Sequence, residues 1–564
     1  MKKILSFKLI ISLLGGCTKL DLNPLSQGSS ANWYSDETEI TLALNDLYRT
    51  YLYETEVNLE TERMTDNWTQ RQAVHVFAAG AVASDWALAE TVWLNAYKGI
   101  SRANTILESL PRAAGAVSAA KQKQFEGEAK FFRAVLYARL IFLYGDVPYY
   151  TNYLDIEKSF TLSRTPKAEI LKNIYKDFDD AIAVLPQSYS TSELKRATKG
   201  AAMAFKARAA LYNQDWAVAR DAAKACMDLK AYTLHPDFAD YFLVKTKNAA
   251  ETVFGLPQST PLGFFWATTN FYPRTPGGSA VAQPSWELLC SFPCTDGLPI
   301  DKSPLYNPRN PFVNRDPRCA NTIVQFNTAF LGFIYDPHPN SLTVTNTATG
   351  AQVSNKDNRA VDQFASYNGL ALKKGVDAEW SDDKMADFDI VIMRYADVLL
   401  MYAEAKIELN ELDAAAVNAI NQVRARAYKV AVTATGSYPA VAIGTQAQLR
   451  TVVRTERRIE LAWENRRLDD ILRWKIAEKV LTKPIYGMLD PADLKTKVIT
   501  PGLWFFPGTP TIDENGSADF TAMANTGLIK LLVARAFDKN KQYLWPIPSK
   551  EIIINKNLVQ NPGY

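Results

Sequence analysis

The chain has 564 residues, of which 47% are hydrophobic and 11% aromatic, a composition typical of a globular protein rather than a disordered one. Its 63 lysines and arginines face 60 aspartates and glutamates, and the excess of three equals the number of lysines within residues 1–16. The remaining chain is charge-balanced, which gives no electrostatic argument for binding nucleic acid or an anionic membrane. At this length we expect one composite body or two closely joined lobes rather than a single core.

The first 16 residues have the pattern of a secretory signal peptide. Two lysines precede a short apolar stretch, residues 4–14, which is shorter than the roughly 20 residues needed to span a bilayer. Leu14, two glycines and Cys17 are similar to a bacterial lipobox, which predicts that Cys17 becomes the lipid-modified first residue. An ordinary signal peptide followed by a chance cysteine is the alternative. The polar residues 17–30 predict a lipidated N-terminal tether.

Helical periodicity dominates residues 31–255, which we treat as an N-terminal helical region. Within 165–185 apolar residues recur every four positions, and Thr165 is the predicted N-cap. Residues 128–144 carry a similar apolar stripe that Gly145 is expected to end.

Two stretches predict tight helical hairpins packed through small residues. Residues 198–228 place closely spaced alanines before a turn at 213–215, and residues 397–427 repeat the pattern around a turn at 410–413. Antiparallel helices paired in this way resemble tetratricopeptide units. The sequence therefore predicts a mainly α fold built on a tetratricopeptide-like scaffold of helical pairs.

The helical signal fails over residues 256–385, where proline, glycine, asparagine, threonine and aromatic residues dominate. This composition predicts a long irregular insertion of loops and short strands, and such segments often carry the function of a rigid scaffold. Helices are expected again at 386–427 and 446–480, within a C-terminal region that spans 386–564.

Residues with obvious chemistry are few. Besides Cys17 there are four cysteines, of which Cys290 and Cys294 are close enough in sequence for a local disulfide, although two buried free thiols fit equally well. The three histidines are isolated, without an HExxH-type pair. We therefore predict no catalytic residue, no metal ligand and no cofactor.

The charged segment 456–473 invites an enzymatic interpretation. Glu460 and Glu464 lie one helical turn apart, and paired carboxylates can hydrolyse glycosides. Arginines interleave with them, however, which favours an ion-pair lattice that keeps the carboxylates ionised. Asp316, between Arg315 and Arg318, is interpreted in the same way as a loop brace.

Aromatic residues in loops beside polar groups are the pattern suited to a sugar. The C–H face of a pyranose stacks on a ring, and its hydroxyls pair with amides, carboxylates or guanidinium groups. Two loops, 63–86 and 264–274, show this pattern. The candidate ligand-binding residues are Arg63, Asp66, Asn67, Trp68, Arg71, Trp86, Trp266, Asn270, Tyr272 and Arg274. Ordinary packing is an equal alternative for Trp68 and Tyr272. A third segment, 327–380, is either a ligand loop or a lid against a partner.

Motifs spread along nearly the whole chain resemble the SusD/RagB family, and their joint order behind a lipobox is more specific than any one of them. They are residues 128–134, 144–148, 295–300, 314–318, 394–405, 456–474 and 544–548. One departure is Asn465, where the family usually has glycine, and asparagine tolerates the same left-handed backbone.

The resemblance implies a surface-exposed lipoprotein of the outer membrane that is not an enzyme. Such proteins hold an oligosaccharide, or in some members a peptide, on an irregular face and deliver it to a SusC-like, TonB-dependent transporter. Ligand residues vary among members, so only the regions carry over to this chain. Three alternatives stay open: a binder of peptides or another nutrient on the same scaffold, a surface glycoside hydrolase, and a periplasmic tetratricopeptide adaptor.

Overall fold

The computed structural model describes residues 33–57, 59–190, 195–378 and 384–564. The predicted signal peptide, the lipidation of Cys17 and the tether fall outside these residues. Within the described part of the chain the helices, labelled α1 to α17, are Glu37–Asn45, Ala87–Ser109, Ala119–Tyr144, Ile156–Ser159, Lys167–Val184, Lys199–Tyr212, Trp216–Asp228, Trp286–Ser291, Pro317–Thr322, Tyr395–Glu408, Ala414–Ala427, Gln446–Glu460, Arg467–Arg473, Ala477–Val480, Pro491–Leu494, Thr521–Asn525 and Ser549–Ile554.

The strands are short and pair only as antiparallel couples. Labelled β1 to β14 in chain order, they are Trp68–Thr69, Thr252–Leu256, Trp266–Ala267, Gln283–Pro284, Thr328–Phe330, Phe333–Tyr335, Thr343–Thr345, Gln352–Ser354, Met385–Ala386, Ile390–Arg394, Ile485–Gly487, Thr511–Ile512, Ala518–Asp519 and Lys530–Val533. The pairs are β1 with β4, β2 with β10, β3 with β9, β5 with β6, β7 with β8, β11 with β14 and β12 with β13.

The helices stack on one another as a tetratricopeptide-like scaffold, which confirms the predicted fold class. Helix α3 packs against α2 and α5, and α6 packs against α5 and α7. Helix α10 packs against α7, α11 and α12, although a long irregular excursion separates α7 from α10 in sequence. The predicted hairpins are α6 with α7 and α10 with α11. Ala207, Ala210 and Ala223 are fully buried at these contacts, because only small side chains allow such close approach.

Helix ends follow local chemistry in one case and tertiary pairing in another. Gly145 ends α3 with φ 75°, and its N–H donates to the carbonyl of Ile141, as predicted. Thr165 does not cap α5, so that prediction was wrong; its N–H pairs with the carbonyl of Val147, and Pro166 takes the N-cap position. The predicted start of the next helix at residue 386 was also wrong. Residues 390–394 form strand β10, which pairs with β2, and the helix begins at Tyr395.

Two large hydrophobic clusters, beside two small ones of three residues each, form the interior of the described residues. The larger lies among the helices, where the rings of Phe131 and Phe205 meet at 5.3 Å between centroids. The second is built from the insertion together with C-terminal loops, and Trp286 contacts Phe506 there at 5.0 Å. The composite body expected from the length of the chain therefore has two cores.

Two further observations concern the chemistry of the chain. Cys226, Cys290, Cys294 and Cys319 are buried free thiols, so the disulfide alternative for Cys290 and Cys294 is not realised. Among the described helices, none combines the length and the apolar character that crossing a membrane requires.

Candidate ligand-binding site

Three loops that are distant in sequence meet at one surface. Arg71 comes from the first predicted loop and adopts a left-handed backbone with φ 47°. Its Nη2 donates to the carbonyl of Ser279 at 2.8 Å and to that of Phe364 at 2.9 Å. Arg274, from the second loop, approaches the same phenylalanine. The structure thus brings the 63–86 and 264–274 loops together with the third segment.

An exposed aromatic ring lies at the centre of this surface. Phe364 is 49% exposed, and the guanidinium carbons of Arg71 and Arg274 lie 5.4 and 5.6 Å from its ring centroid. Arg274 also pairs with Asp362 at 2.9 Å. We call Arg71, Arg274, Asp362 and Phe364 the aromatic platform.

The platform keeps the carboxylate of Asp362 ionised. Partial burial opposes ionisation of Asp362, but hydrogen bonds from Arg274 and from the N–H of Phe364 keep its pKa below the usual range. The pKa of Arg71 is lowered, first by partial burial and then by the nearby charge of Arg274. A ring beside two guanidinium groups and a carboxylate can stack on a sugar and hydrogen-bond its hydroxyls.

The second predicted loop also supplies the wall of a cavity. Trp266 lies on β3, opposite Ala386, and its ring packs on those of Phe271 at 4.6 Å and Phe388 at 5.4 Å. The rings of Trp266, Phe271, Phe388 and Trp463 line a cavity of about 130 Å³, which we call the aromatic cavity. Asn270, in the same loop, is exposed.

Polar groups in the wall of the aromatic cavity include Trp463 and Lys374. Trp463 has a left-handed backbone with φ 63°, and its buried indole N–H has no hydrogen-bond partner among the described residues. Burial lowers the pKa of Lys374 to about 8, while its ammonium donates to the carbonyl of Ala462 at 2.8 Å. Strained backbone conformations cluster at binding and active sites. A buried N–H group without a hydrogen-bond partner is rare in folded proteins and calls for an explanation such as a ligand or a water. Asn465, close by, is left-handed as predicted, with φ 57°.

Several predicted residues are buried and bonded within the protein instead of facing solvent. Asp66 is buried, and Arg458 and Arg467 each approach its carboxylate at 2.8 Å. Burial raises the pKa of Asp66, but these two charges outweigh burial and hold it well below the usual range. Asn67 donates to Glu62 at 2.8 Å, and the buried ring of Trp68 stacks on Trp463 at 4.7 Å.

The remaining candidates lie in three different environments. Tyr272 is buried and its hydroxyl donates to the carbonyl of Asp377 at 3.4 Å. Arg63 is half-exposed and pairs with Glu60 at 3.0 Å. Trp86 precedes α2 and packs on Trp545, 4.6 Å away, at the edge of the helical core. The structure does not test contact of any candidate with a ligand, and their ligand-binding roles stay predictions.

Sequence reasoning missed two members of the platform, Asp362 and Phe364. Both lie inside the third segment, and the run Asp362, Gln363, Phe364 has the same pattern of an aromatic residue beside polar groups that identified the other loops. In the sequence, the helical spacing of Trp463 within the charged segment favours a core position. Trp463 is indeed buried, yet it also lines the aromatic cavity.

The charged segment 456–473 forms the predicted ion-pair lattice. Arg394 approaches Glu460 at 2.6 Å, Arg318 approaches it at 2.9 Å, and Arg426 forms a third pair. Burial raises the pKa of Glu460, but the three guanidinium groups overcome this effect and hold it well below the usual range. Burial also raises the pKa of Glu464, but Arg394 and Lys374 hold it below the usual range. A general acid needs a raised pKa, so these carboxylates are poorly suited to glycoside hydrolysis.

The predicted role of Asp316 as a brace is also confirmed. Its carboxylate accepts from the backbone N–H of Arg318 at the start of α9 and pairs with the guanidinium of that arginine at 2.8 Å. Across the described ranges, no group of three or more histidine, cysteine, aspartate or glutamate side chains is arranged to hold a metal ion.

Comparison with protein families matches both halves of the chain. Residues 251–564 match the model of the SusD family. Residues 20–211 match a family described as starch-binding and associating with the outer membrane.

Individual relatives agree with these matches. SusD-like protein P25 of Formosa agariphila is 27% identical over 420 residues, which cover 71% of this chain and 72% of that protein. SusD-like protein P2 of the same organism is 24% identical over the full length of both chains. The crystal structure of a SusD-like carbohydrate-binding protein from Bacteroides fragilis superposes with a TM-score of 0.76 at 27% identity, covering 93% of this chain and 99% of that one. A laminarin-binding SusD-like protein shares the fold, with a TM-score of 0.61 at 18% identity over 94% of this chain and all of the other.

Proposed function

The chain belongs to the SusD family, and from this premise we propose that it binds an oligosaccharide at the cell surface without transforming it. The observation that carries the proposal is the aromatic platform. Phe364 offers an exposed ring, and Arg71, Arg274 and Asp362 supply charged hydrogen-bonding groups around it. Stacking combined with charge-assisted hydrogen bonds is the chemistry that recognises a pyranose.

The aromatic cavity extends the proposed site. Trp266 and Arg274 lie at the two ends of one loop, so the cavity and the platform share a short segment of chain. We propose that Trp266 and the exposed Asn270 contact the sugar as predicted. Buried Asp66, Asn67, Trp68 and Tyr272 support the site from behind.

Location and delivery form the finer part of the proposal. The lipobox-like residues that end at Cys17 support a lipid anchor, and the description of the family that matches residues 20–211 supports association with the outer membrane. We propose that the protein delivers its ligand to a SusC-like, TonB-dependent transporter, as the family resemblance implies. Neither a bound cofactor nor a metal ion has a role in this proposal.

The second candidate is a peptide-binding protein on the same scaffold. Peptide capture commonly adds a strand to an exposed sheet edge and uses pockets for side chains. The strand beside the proposed site, β3, has two residues and is already paired with β9. This geometry favours a glycan over an extended peptide.

One experiment separates these functions. The purified protein is applied to a glycan array and to a random peptide library. Each glycan that it retains is then incubated with the protein, and chromatography shows whether cleavage products form. We expect retention of at least one oligosaccharide class, no peptide consensus and no cleavage products. Retention of peptides alone would support the second candidate, and cleavage of a retained glycan would show that the protein is a hydrolase.

A further inference from the structure

A second concave surface, of about 940 Å³, lies among the turn after α3, the start of α5 and the C-terminal segment. It shares no lining residue with the aromatic cavity or the platform. Five basic side chains line it: Arg164, Lys167, Lys475, Lys539 and Lys541. We call this surface the basic groove. Asp146 is the only acidic residue among the described residues that line it.

The positive charges of the groove are poorly compensated. The guanidinium of Arg164 donates to three backbone carbonyls, those of Tyr144, Asp146 and Val559, and to the side-chain oxygen of Asn561. All four acceptors are neutral. Within the described part of the chain, the four lysines of the groove form no ion pair closer than 4 Å, whereas Arg133, Arg208 and Arg473 each pair with a buried carboxylate.

Acidic groups near the groove are already engaged. The carboxylate of Asp146 accepts the backbone N–H of Lys167 at 2.7 Å. Glu478, beside the groove, accepts a hydrogen bond from the hydroxyl of Tyr543. Asp538 accepts the N–H of Asn540 at 2.9 Å. Five cations against these three carboxylates leave a net positive surface on a chain whose overall charge is nearly balanced.

Two of the lysines lie against tyrosine rings before any ligand arrives. The ammonium of Lys475 lies 4.2 Å from the ring centroid of Tyr543, and that of Lys541 lies 4.6 Å from that of Tyr564. The pKa of Lys167 is lowered, first by burial and then by the charge of Lys475, which indicates that the two ammonium groups repel each other. An anion between them would relieve that repulsion.

We propose that the basic groove binds the carboxylate or sulfate groups of an acidic saccharide. Its volume is in the range of pockets that hold a whole small molecule, which is more room than a single inorganic oxyanion needs. The tyrosine ring of Tyr543 and the amide of Asn540 line the same surface and suit the sugar part of such a ligand. This site is separate from the aromatic platform and does not depend on the function proposed there.

Calorimetric titration of the whole protein tests the proposal. The probes are trigalacturonate, a sulfated heparin tetrasaccharide, neutral galactotriose, inorganic sulfate and inorganic phosphate. We expect at least one acidic saccharide to bind in low salt, with neutral galactotriose and the inorganic ions much weaker. The double variant Lys475→Gln/Lys539→Gln changes two exposed side chains and should weaken that binding by about tenfold or more, because two charge-assisted contacts are lost.

Matched variants make the result specific to the groove. Lys98→Gln/Lys123→Gln removes the same charge from exposed positions of α2 and α3 and should leave the affinity unchanged. Absence of binding by both acidic saccharides would overturn the proposal. So would equal affinity of the groove variant and the wild-type protein, or binding of inorganic sulfate or phosphate as tight as that of the saccharides.

Discussion

Burial separates the side chains that shape the candidate site from those that face a ligand. Trp68 is 7% exposed and stacks on Trp463, and the carboxylate of buried Asp66 is shared by two arginines. Phe364, by contrast, is 49% exposed. Replacing Trp68 would therefore alter the packing of the site, and only a change at an exposed residue such as Phe364 reports on ligand contact.

Cys17 carries the prediction that concerns location. We expect Cys17→Ser to lose metabolic labelling by a palmitate analogue and to leave the outer-membrane fraction, because a serine hydroxyl cannot form the lipid thioether and stable anchoring needs two lipid signals. Cys226→Ser is the matched control, since Cys226 is a buried free thiol of α7 and should not affect labelling. Undiminished labelling of Cys17→Ser would contradict the lipid-anchor proposal.

At the scale of elements, the ion-pair lattice joins α12 to the chain segments around it. Glu460 ends α12 and pairs with Arg318, Arg394 and Arg426, which belong to α9, β10 and α11. Because all four groups are buried, loss of the carboxylate leaves the lattice one negative charge short, although each guanidinium group keeps another carboxylate partner. Breaking a buried pair in this way typically costs about 3–5 kcal/mol.

We therefore expect Glu460→Gln to lower the free energy of unfolding by about 3–5 kcal/mol in urea denaturation at neutral pH. The folded-state pKa of Glu460 is depressed, so its contribution is present above the unfolded value of 4.5 and is lost as the pH falls below it. The difference between variant and wild type should accordingly shrink in acid.

Glu37→Gln is the control for this lattice. Glu37 lies in the first turn of α1, its side chain is 56% exposed, and it pairs with Lys121 at 3.5 Å, so its loss should cost about 1 kcal/mol or less. Wild-type stability of Glu460→Gln would show that the lattice does not hold these elements together.

The elements themselves were predictable from sequence to different degrees. Periodic apolar residues and small-residue hairpins predicted α3, α5, α6 with α7, and α10 with α11, because the apolar and small residues that pack these helices recur at helical spacing within each segment. Strand β10 and the unused cap at Thr165 were not predicted, since both depend on a distant partner strand or carbonyl. A local pattern has no information about such partners.

The candidate site shows the same division. Its loops could be found from aromatic residues beside polar ones, and Arg71, Trp266 and Arg274 were identified in this way. Their assembly could not be predicted, because Arg71 reaches the carbonyl of Phe364 across 293 residues of sequence. Nor could sequence distinguish exposed Asn270 from buried Tyr272 two positions later.

At the scale of the whole molecule, the family scaffold and the ligand surfaces are largely separate. Stacked helices form one core, and the insertion together with C-terminal loops forms the other. The aromatic platform is built from loops, whereas the basic groove lies against the ends of α3 and α5. This arrangement allows the loops to change ligand while the helices keep their packing.

Calorimetric titration of Phe364→Ala decides whether the aromatic platform binds an oligosaccharide. The ligand is the oligosaccharide retained in the array experiment, and Phe160→Ala, which removes another exposed ring, is the control. We predict that Phe364→Ala weakens binding by about 1–3 kcal/mol without changing stability, because the stacking surface is lost, and that the control binds like wild type. Wild-type affinity of Phe364→Ala would show that the aromatic platform does not bind the oligosaccharide.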